Sequence, residues 1–173
     1  MYVLCAPHLE IGGWHNNGQV LRLREHTLLT ANKGNTWLVI GASIPFTECS
    51  AGYVGVNDGW TDLADNYCLD WQFDSAPDGN IALTGGLDLS ASTEFTIGLA
   101  FGTTQHDALS TLAQSLSIPF EETRKSFVRQ WERTSKRFAL DAVASNSKLF
   151  ERSVNLLLAH VLLTYAPEPR KLF

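Results

Sequence analysis

Strand-like and helix-like segments do not mix in this chain. Residues 2–102 read as short strands separated by Gly, Asn and Asp turns, and residues 104–165 read as helices alone. Without helices between the strands there are no parallel crossovers, so the first hundred residues can build only antiparallel sheets. The expected strands cover 2–10, 19–24, 27–32, 35–42, 49–55, 71–74, 80–89 and 93–101. They recur roughly every 8–14 residues, the rhythm of an antiparallel sandwich.

The details follow from residue type. Residues 11–18 (IGGWHNNG) hold three glycines and two asparagines, which accept positive φ, and read as a loop. Leu21 and Leu23 face one way and Arg22 and Arg24 the other. Lys33-Gly34 marks a hairpin, after which Trp37, Leu38, Val39 and Ile40 form the run of a central strand. Asn57-Asp58-Gly59 reads as a turn into one helical turn over 60–65, capped by Asp62 or Thr61. Ser90-Ala91-Ser92 reads as a hairpin loop between the last two strands. Ala108, Leu109, Leu112, Ala113 and Leu116 then repeat at helical spacing behind Thr103 or Thr104. Pro119 opens a second helix with Glu121 and Glu122 in its first turn. A third helix is expected over 147–165, with a broad apolar face (Phe150, Val154, Leu157, Leu158, Val161, Leu162) and a stop at Pro167.

Charge narrows the partners. Net charge is −5, and ten of the 13 Lys and Arg residues lie after residue 120. The strand region is acidic, so nucleic acid is not an expected partner. The basic positions of 124–137 alternate with Glu121, Glu122 and Glu132 and read as a solvated helix face. The longest apolar run, near 156–163, falls short of a membrane span. The start, MYVLCAPHLE, has no basic region, long apolar core or cleavage site, so a cytoplasmic location is expected. Cys5, Cys49 and Cys68 are odd in number and widely spaced, and neither a disulfide framework, a metal site nor a cofactor is expected.

Several motifs occur in a particular order: APHLE (6–10), Lys33–Gly34 with Thr36-Trp37, GASIPF (41–46), GYVG-x-x-DGW-x-DL (52–63), DGNIALTG (78–85) and GLAFG (98–102). Together they resemble the N-terminal domain of bacterial glucoamylases and glucodextranases of glycoside hydrolase family 15. The resemblance implies a mutarotase-like super-sandwich, of which residues 1–102 are one part. It implies a helical linker over 103–145 and, over 146–173, the first helix of the α/α-barrel that carries catalysis. It further implies that both ends are cut inside larger units and that the missing barrel is the natural partner. The family reaction is inverting hydrolysis of terminal α-glucosidic bonds, which takes two carboxyl groups roughly 6.5–9.5 Å apart. The family's two glutamates belong to the barrel, so no catalytic residue is assigned in this chain.

Three residues remain as candidate sugar-binding groups: Trp60, Asp62 and Trp14. Asp58, Asp62, Asp65 and Asp70 surround Trp60 and Trp71, so rings could stack on a pyranose while carboxylates take its hydroxyls. The competing reading uses the same residues as a turn, a helix cap and Trp rings filling the sandwich core. His8 and Glu10 share a face if residues 2–10 are one strand, but a lone His there is more often structural. The glycine pairs Gly12-Gly13 and Gly85-Gly86 lack the spacing of a dinucleotide loop. The leading functional expectation is thus the non-catalytic sandwich and linker portion of an inverting α-glucosidase. A stand-alone carbohydrate-binding module, with α-glucans as ligand, is the alternative, and a mutarotase-like epimerase rests on fold analogy alone.

Overall fold

A computed structural model describes residues 1–24, 26–92 and 94–136, together with 148, 149, 152, 153, 156, 157 and 159. Two compact units occur, Met1–Phe120 and Glu121–Phe173.

In the first unit eight strands form two antiparallel sheets. They are β1 (Tyr2–Cys5), β2 (Asn16–Arg22), β3 (Thr27–Lys33), β4 (Thr36–Ala42), β5 (Phe46–Tyr53), β6 (Ser75–Gly79), β7 (Ile81–Leu87) and β8 (Ile97–Gly102). The smaller sheet has the order β1-β7-β5 and the larger β6-β2-β3-β4-β8. Period-two alternation decides which residues meet between them. Cys49 and Ala51 of β5 and Ile81, Leu83 and Leu87 of β7 face Val20, Leu29, Ala31, Leu38 and Ile40 of the larger sheet. Ile81, Leu83, Leu29 and Ile40 are 0–1% exposed, so this interface is the main core. The smaller sheet packs over β2, β3 and β6. On β8 the residues of the core-side face, Leu99 and Phe101, paired with Ile40 and Leu38, are left largely exposed.

Each sheet carries a further layer on its outer face. On the smaller sheet lies α1 (Gly59–Asn66) with its return segment: Gly59 sits over Thr84, and Phe73 N–H donates to Ser50 Oγ at 3.2 Å. On the larger sheet lies α2 (Gln105–Ser117), whose Ala108 and Leu112 bury against Val39 and Ala100. Thr104 caps α2 by accepting from Asp107 N–H at 3.1 Å. In the second unit, α3 (Phe120–Lys136) carries an edge-to-face pair, Phe127 and Trp131, with ring centroids 5.9 Å apart.

The expected antiparallel sandwich with helices is what forms, with local corrections. β1 stops at Cys5, because Pro7 offers no N–H to a ladder. β2 starts inside the expected loop, at Asn16, which is fully buried and pairs with Gly79. The strand expected at 71–74 forms at Ser75–Gly79 instead. The loop at 90–92 joins no hairpin: β7 and β8 belong to different sheets, so the chain crosses the sandwich there. The third helix expected over 147–165 falls mostly outside the described residues; Lys148, Leu149, Arg152, Ser153, Leu156, Leu157 and Ala159 are helical.

Candidate functional site

The sequence gives α1 its start through Asp58. This residue is extended (φ −75°, ψ 162°), and its Oδ1 accepts from Trp60 N–H at 2.8 Å and Thr61 N–H at 3.0 Å. Oδ2 accepts from Thr61 Oγ1 at 3.2 Å and from the Gly55 N–H. Asp58 is therefore the helix cap, in place of the expected Asp62 or Thr61. Burial raises its pKa, but the hydrogen bonds from Thr61, Gly55 and Trp60 outweigh burial and hold the carboxyl below its ordinary range.

Asp62 is only 4% exposed, and its Oδ2 accepts from Trp71 N–H at 2.7 Å. It ties the return segment to the helix, with its carboxylate turned away from solvent. The tryptophans do not fill the core. Trp60 is 70% exposed, Trp14 69% and Trp71 41%. The core is closed instead by small residues that leave no room for an indole: a Cβ on Gly18 would stand 2.9 Å from Ile81 Cδ1.

The helix has two turns and ends at Tyr67, a residue absent from the sequence expectations. Ala64 and Tyr67 follow Trp60 at i+4 and i+7, and all three are exposed. Tyr67 ends the helix in the left-handed conformation (φ 63°), its N–H donating to Leu63 O at 2.9 Å. Asn66 Nδ2 donates to Asp70 Oδ2 at 2.7 Å, and Cys68 N–H donates to Asn66 Oδ1 at 2.9 Å.

Trp14 stands elsewhere, in the loop between β1 and β2. The buried Asn16 shapes that loop: its Nδ2 donates to Gly12 O and Gly13 O at 3.0 and 2.8 Å, and its Oδ1 accepts from Leu9 N–H at 3.2 Å. His15 Nδ1 lies 2.7 Å from Asp78 Oδ1, both residues having positive φ (63° and 50°). His8 and Glu10 lie in this loop rather than on a strand, so the alternation that would align them is lost. Glu10 Oε1 accepts instead from Thr36 Oγ1 at 3.1 Å. Among the described residues no group of three or more His, Cys, Asp or Glu could hold a metal ion, and no helix is long and apolar enough to cross a membrane.

The comparisons with known proteins agree with this architecture. Residues 1–135 match the family described as glucodextranase, domain N. The chain belongs to the glucodextranase N-domain family. It is similar to a glucoamylase from Clostridium sp. (strain G0005), with 29% identity over 133 residues, which make up 77% of this chain and 19% of the relative. Among solved structures it is similar to a bacterial glucoamylase crystallised with acarbose, at a TM-score of 0.74 and 29% identity. That match covers 78% of this chain and 20% of the other. The chain thus spans about a fifth of the length of the relatives it matches.

Proposed function

We propose that this N-domain chain is the sandwich and linker portion of an inverting α-glucosidase of the glucoamylase or glucodextranase type, and that its role there is structural. The observation that carries the reading is the match of residues 1–135 to the N domain, a region that makes up a fifth of the similar glucoamylase. The carboxylates beside the exposed aromatics support it. Asp58 is committed to three backbone amides and Asp62 to a fourth, so neither is poised to move a proton to or from a glycosidic oxygen. The partner in this reading is the catalytic α/α-barrel, and the residues that cleave terminal α-glucosidic bonds belong to it.

The test is direct. The purified chain is incubated with maltose, isomaltose and soluble starch, and glucose is measured by a coupled assay. No release above the buffer control is expected. Glucose release that scales with the amount of chain overturns the reading.

A further inference from the structure

We propose that β8 is a self-recognition edge: two copies of this chain pair antiparallel through the free edges of β8, about a two-fold axis at Ala100, and join their larger sheets into one. β8 hydrogen-bonds to β4 on one side, and among the described residues no hydrogen bond reaches its other side. That side presents a row of backbone N–H and C=O groups, which only another extended strand meets in full.

The other three sheet edges are closed or curtailed by devices that keep strands from pairing outward. β6 carries Pro77, which has no N–H, and the charged Asp78 at φ 50°. β5 is covered by the return segment: Ala51 N–H donates to Phe73 O at 2.8 Å, and Phe73 N–H donates to Ser50 Oγ at 3.2 Å. β1 is four residues long, and Pro7 follows it. β8 has six residues and none of these devices. No Asp, Glu, Lys, Arg, His or Pro occurs from 95 to 105. Self-pairing therefore sets no like charges opposite one another along the strand, although the chain as a whole is acidic.

The side chains select a second copy over any other strand. Gly98-Leu99-Ala100-Phe101-Gly102 reads small, large, small, large, small from either end. A two-fold antiparallel pair centred on Ala100 sets Leu99 opposite Phe101 of the second copy, twice, and Gly98 opposite Gly102. Leu99 and Phe101 lie on the core-side face, beside the buried Ile40 and Leu38, yet are 56% and 59% exposed, because the smaller sheet packs over β2, β3 and β6 instead. Pairing gathers four such side chains into one apolar cluster of aliphatic–aromatic cross-strand contacts. Ala100, on the opposite face, is 3% exposed beneath α2 and keeps its place there. A helix or a small ligand would cover the apolar face and leave the backbone row unpaired. The interface is small, one strand edge and two large side chains per copy, so the dimer belongs to the weak class and forms in the micromolar range.

The experiment is sedimentation velocity of the purified chain across the micromolar range. A concentration-dependent monomer–dimer equilibrium is expected. Leu99→Lys and Phe101→Asp should each weaken it about tenfold or more, since each substitution alters both cross-strand pairs. Mixed in equal amounts, the two variants should form a heterodimer more readily than either forms its own dimer, because the introduced ammonium and carboxylate then stand opposite each other. Phe127→Ala and Leu157→Ala, at exposed apolar positions outside β8, should leave the dimer unchanged. Overlaid thermal melts show that each variant is folded. A readout without any substitution is amide exchange in wild type, which should slow at residues 97–102 as concentration rises. Wild type that stays monomeric throughout the range overturns the proposal. So does a dimer that survives both β8 substitutions, one that is lost in Phe127→Ala or Leu157→Ala, or one that forms with exchange at 97–102 unchanged. Charged variants that stay monomeric when mixed, while wild type dimerises, overturn the pairing about Ala100.

Discussion

Leu112 of α2 fills the space that a side chain on Gly98 would need: a Cβ there would stand 2.6 Å from Leu112 Cδ1. Gly98 pairs with Gly41 across β8 and β4, and a Cβ on Gly41 would stand 3.0 Å from Leu112 Cδ2. Two facing glycines thus form the hole in the sheet that receives the helix's central leucine, which is 3% exposed. Gly98→Ala should force the leucine aside and cost about 1–3 kcal/mol. Leu112→Ala should cost about 2–5 kcal/mol through the cavity it leaves. The double variant should be more stable than the sum of the two losses implies, because the new methyl group occupies part of that cavity. Urea denaturation of the four proteins checks this; strict additivity would mean that the helix does not seat on the glycine pair.

The Asp58 cap makes stability depend on pH in a definite direction. Its folded pKa is depressed, so its contribution is present above the unfolded value of about 3.9 and is lost as pH falls through the folded value. Asp58→Ala should cost about 0.5–2 kcal/mol at neutral pH, the usual loss for a helix cap. The gap between wild type and variant should shrink as pH is lowered below the ordinary carboxylate range. Denaturant midpoints measured down the acid series would reveal an unchanging gap if the carboxylate charge were irrelevant.

Much of the sandwich was legible because its signals are local. The alternation of Leu21 and Leu23 with Arg22 and Arg24 marks β2, although Val20, on the arginine side, enters the core and Leu23 is 47% exposed; the apolar run Trp37–Ile40 marks β4, and the Lys33-Gly34 turn sets β3 beside it, with Lys33 opposite Thr36. Pairing partners distant in sequence were not legible. Tyr2 lies opposite Gly86, and Ala42 opposite Ile97, choices made by the packed core rather than by either segment alone. The candidate site failed in the sequence for a related reason. Hydrophobicity suggested buried tryptophans, but Ala51, Ala31 and Gly18 set a core too close for indoles. Asp58 was readable only as a turn residue, and the cap was expected at Asp62 or Thr61, yet one carboxylate serves both: Oδ2 takes Gly55 N–H in the turn and Oδ1 takes the helix amides.

Two glycines, Gly52 of β5 and Gly59 at the start of α1, should resist substitution for different reasons. A Cβ on Gly52 would stand 2.2 Å from the Asn57 carbonyl oxygen, and backbone cannot rotate away. A Cβ on Gly59 would stand 2.2 Å from Thr84 Oγ1, a buried side-chain atom without a hydrogen-bond partner among the described residues. Gly52→Ala should therefore cost more than the roughly 1–3 kcal/mol typical of overpacking. Gly59→Ala should be relieved by Thr84→Ala, and Gly52→Ala should not. A partner substitution that rescued Gly52→Ala equally well would contradict the turn's approach to the strand.

The three thiols should react in a fixed order. Cys49 is 4% exposed, and burial pushes its thiol up to about 11; burial also raises Cys5, whereas Cys68 is exposed on the return segment after α1. Only the thiolate attacks a disulfide reagent, so low accessibility and raised pKa act together at Cys49. In the native chain an aromatic disulfide reagent should titrate Cys68 first, Cys5 slowly, and Cys49 at a rate set by opening of the sandwich. Cys68→Ser should remove the fast phase alone. Adding denaturant to the unfolding midpoint should merge the remaining phases. Fast modification of Cys49 in the native chain, identified by peptide mass mapping, would mean that the contact between β5 and the larger sheet is far looser than the burial of Ala51 and Leu83 implies.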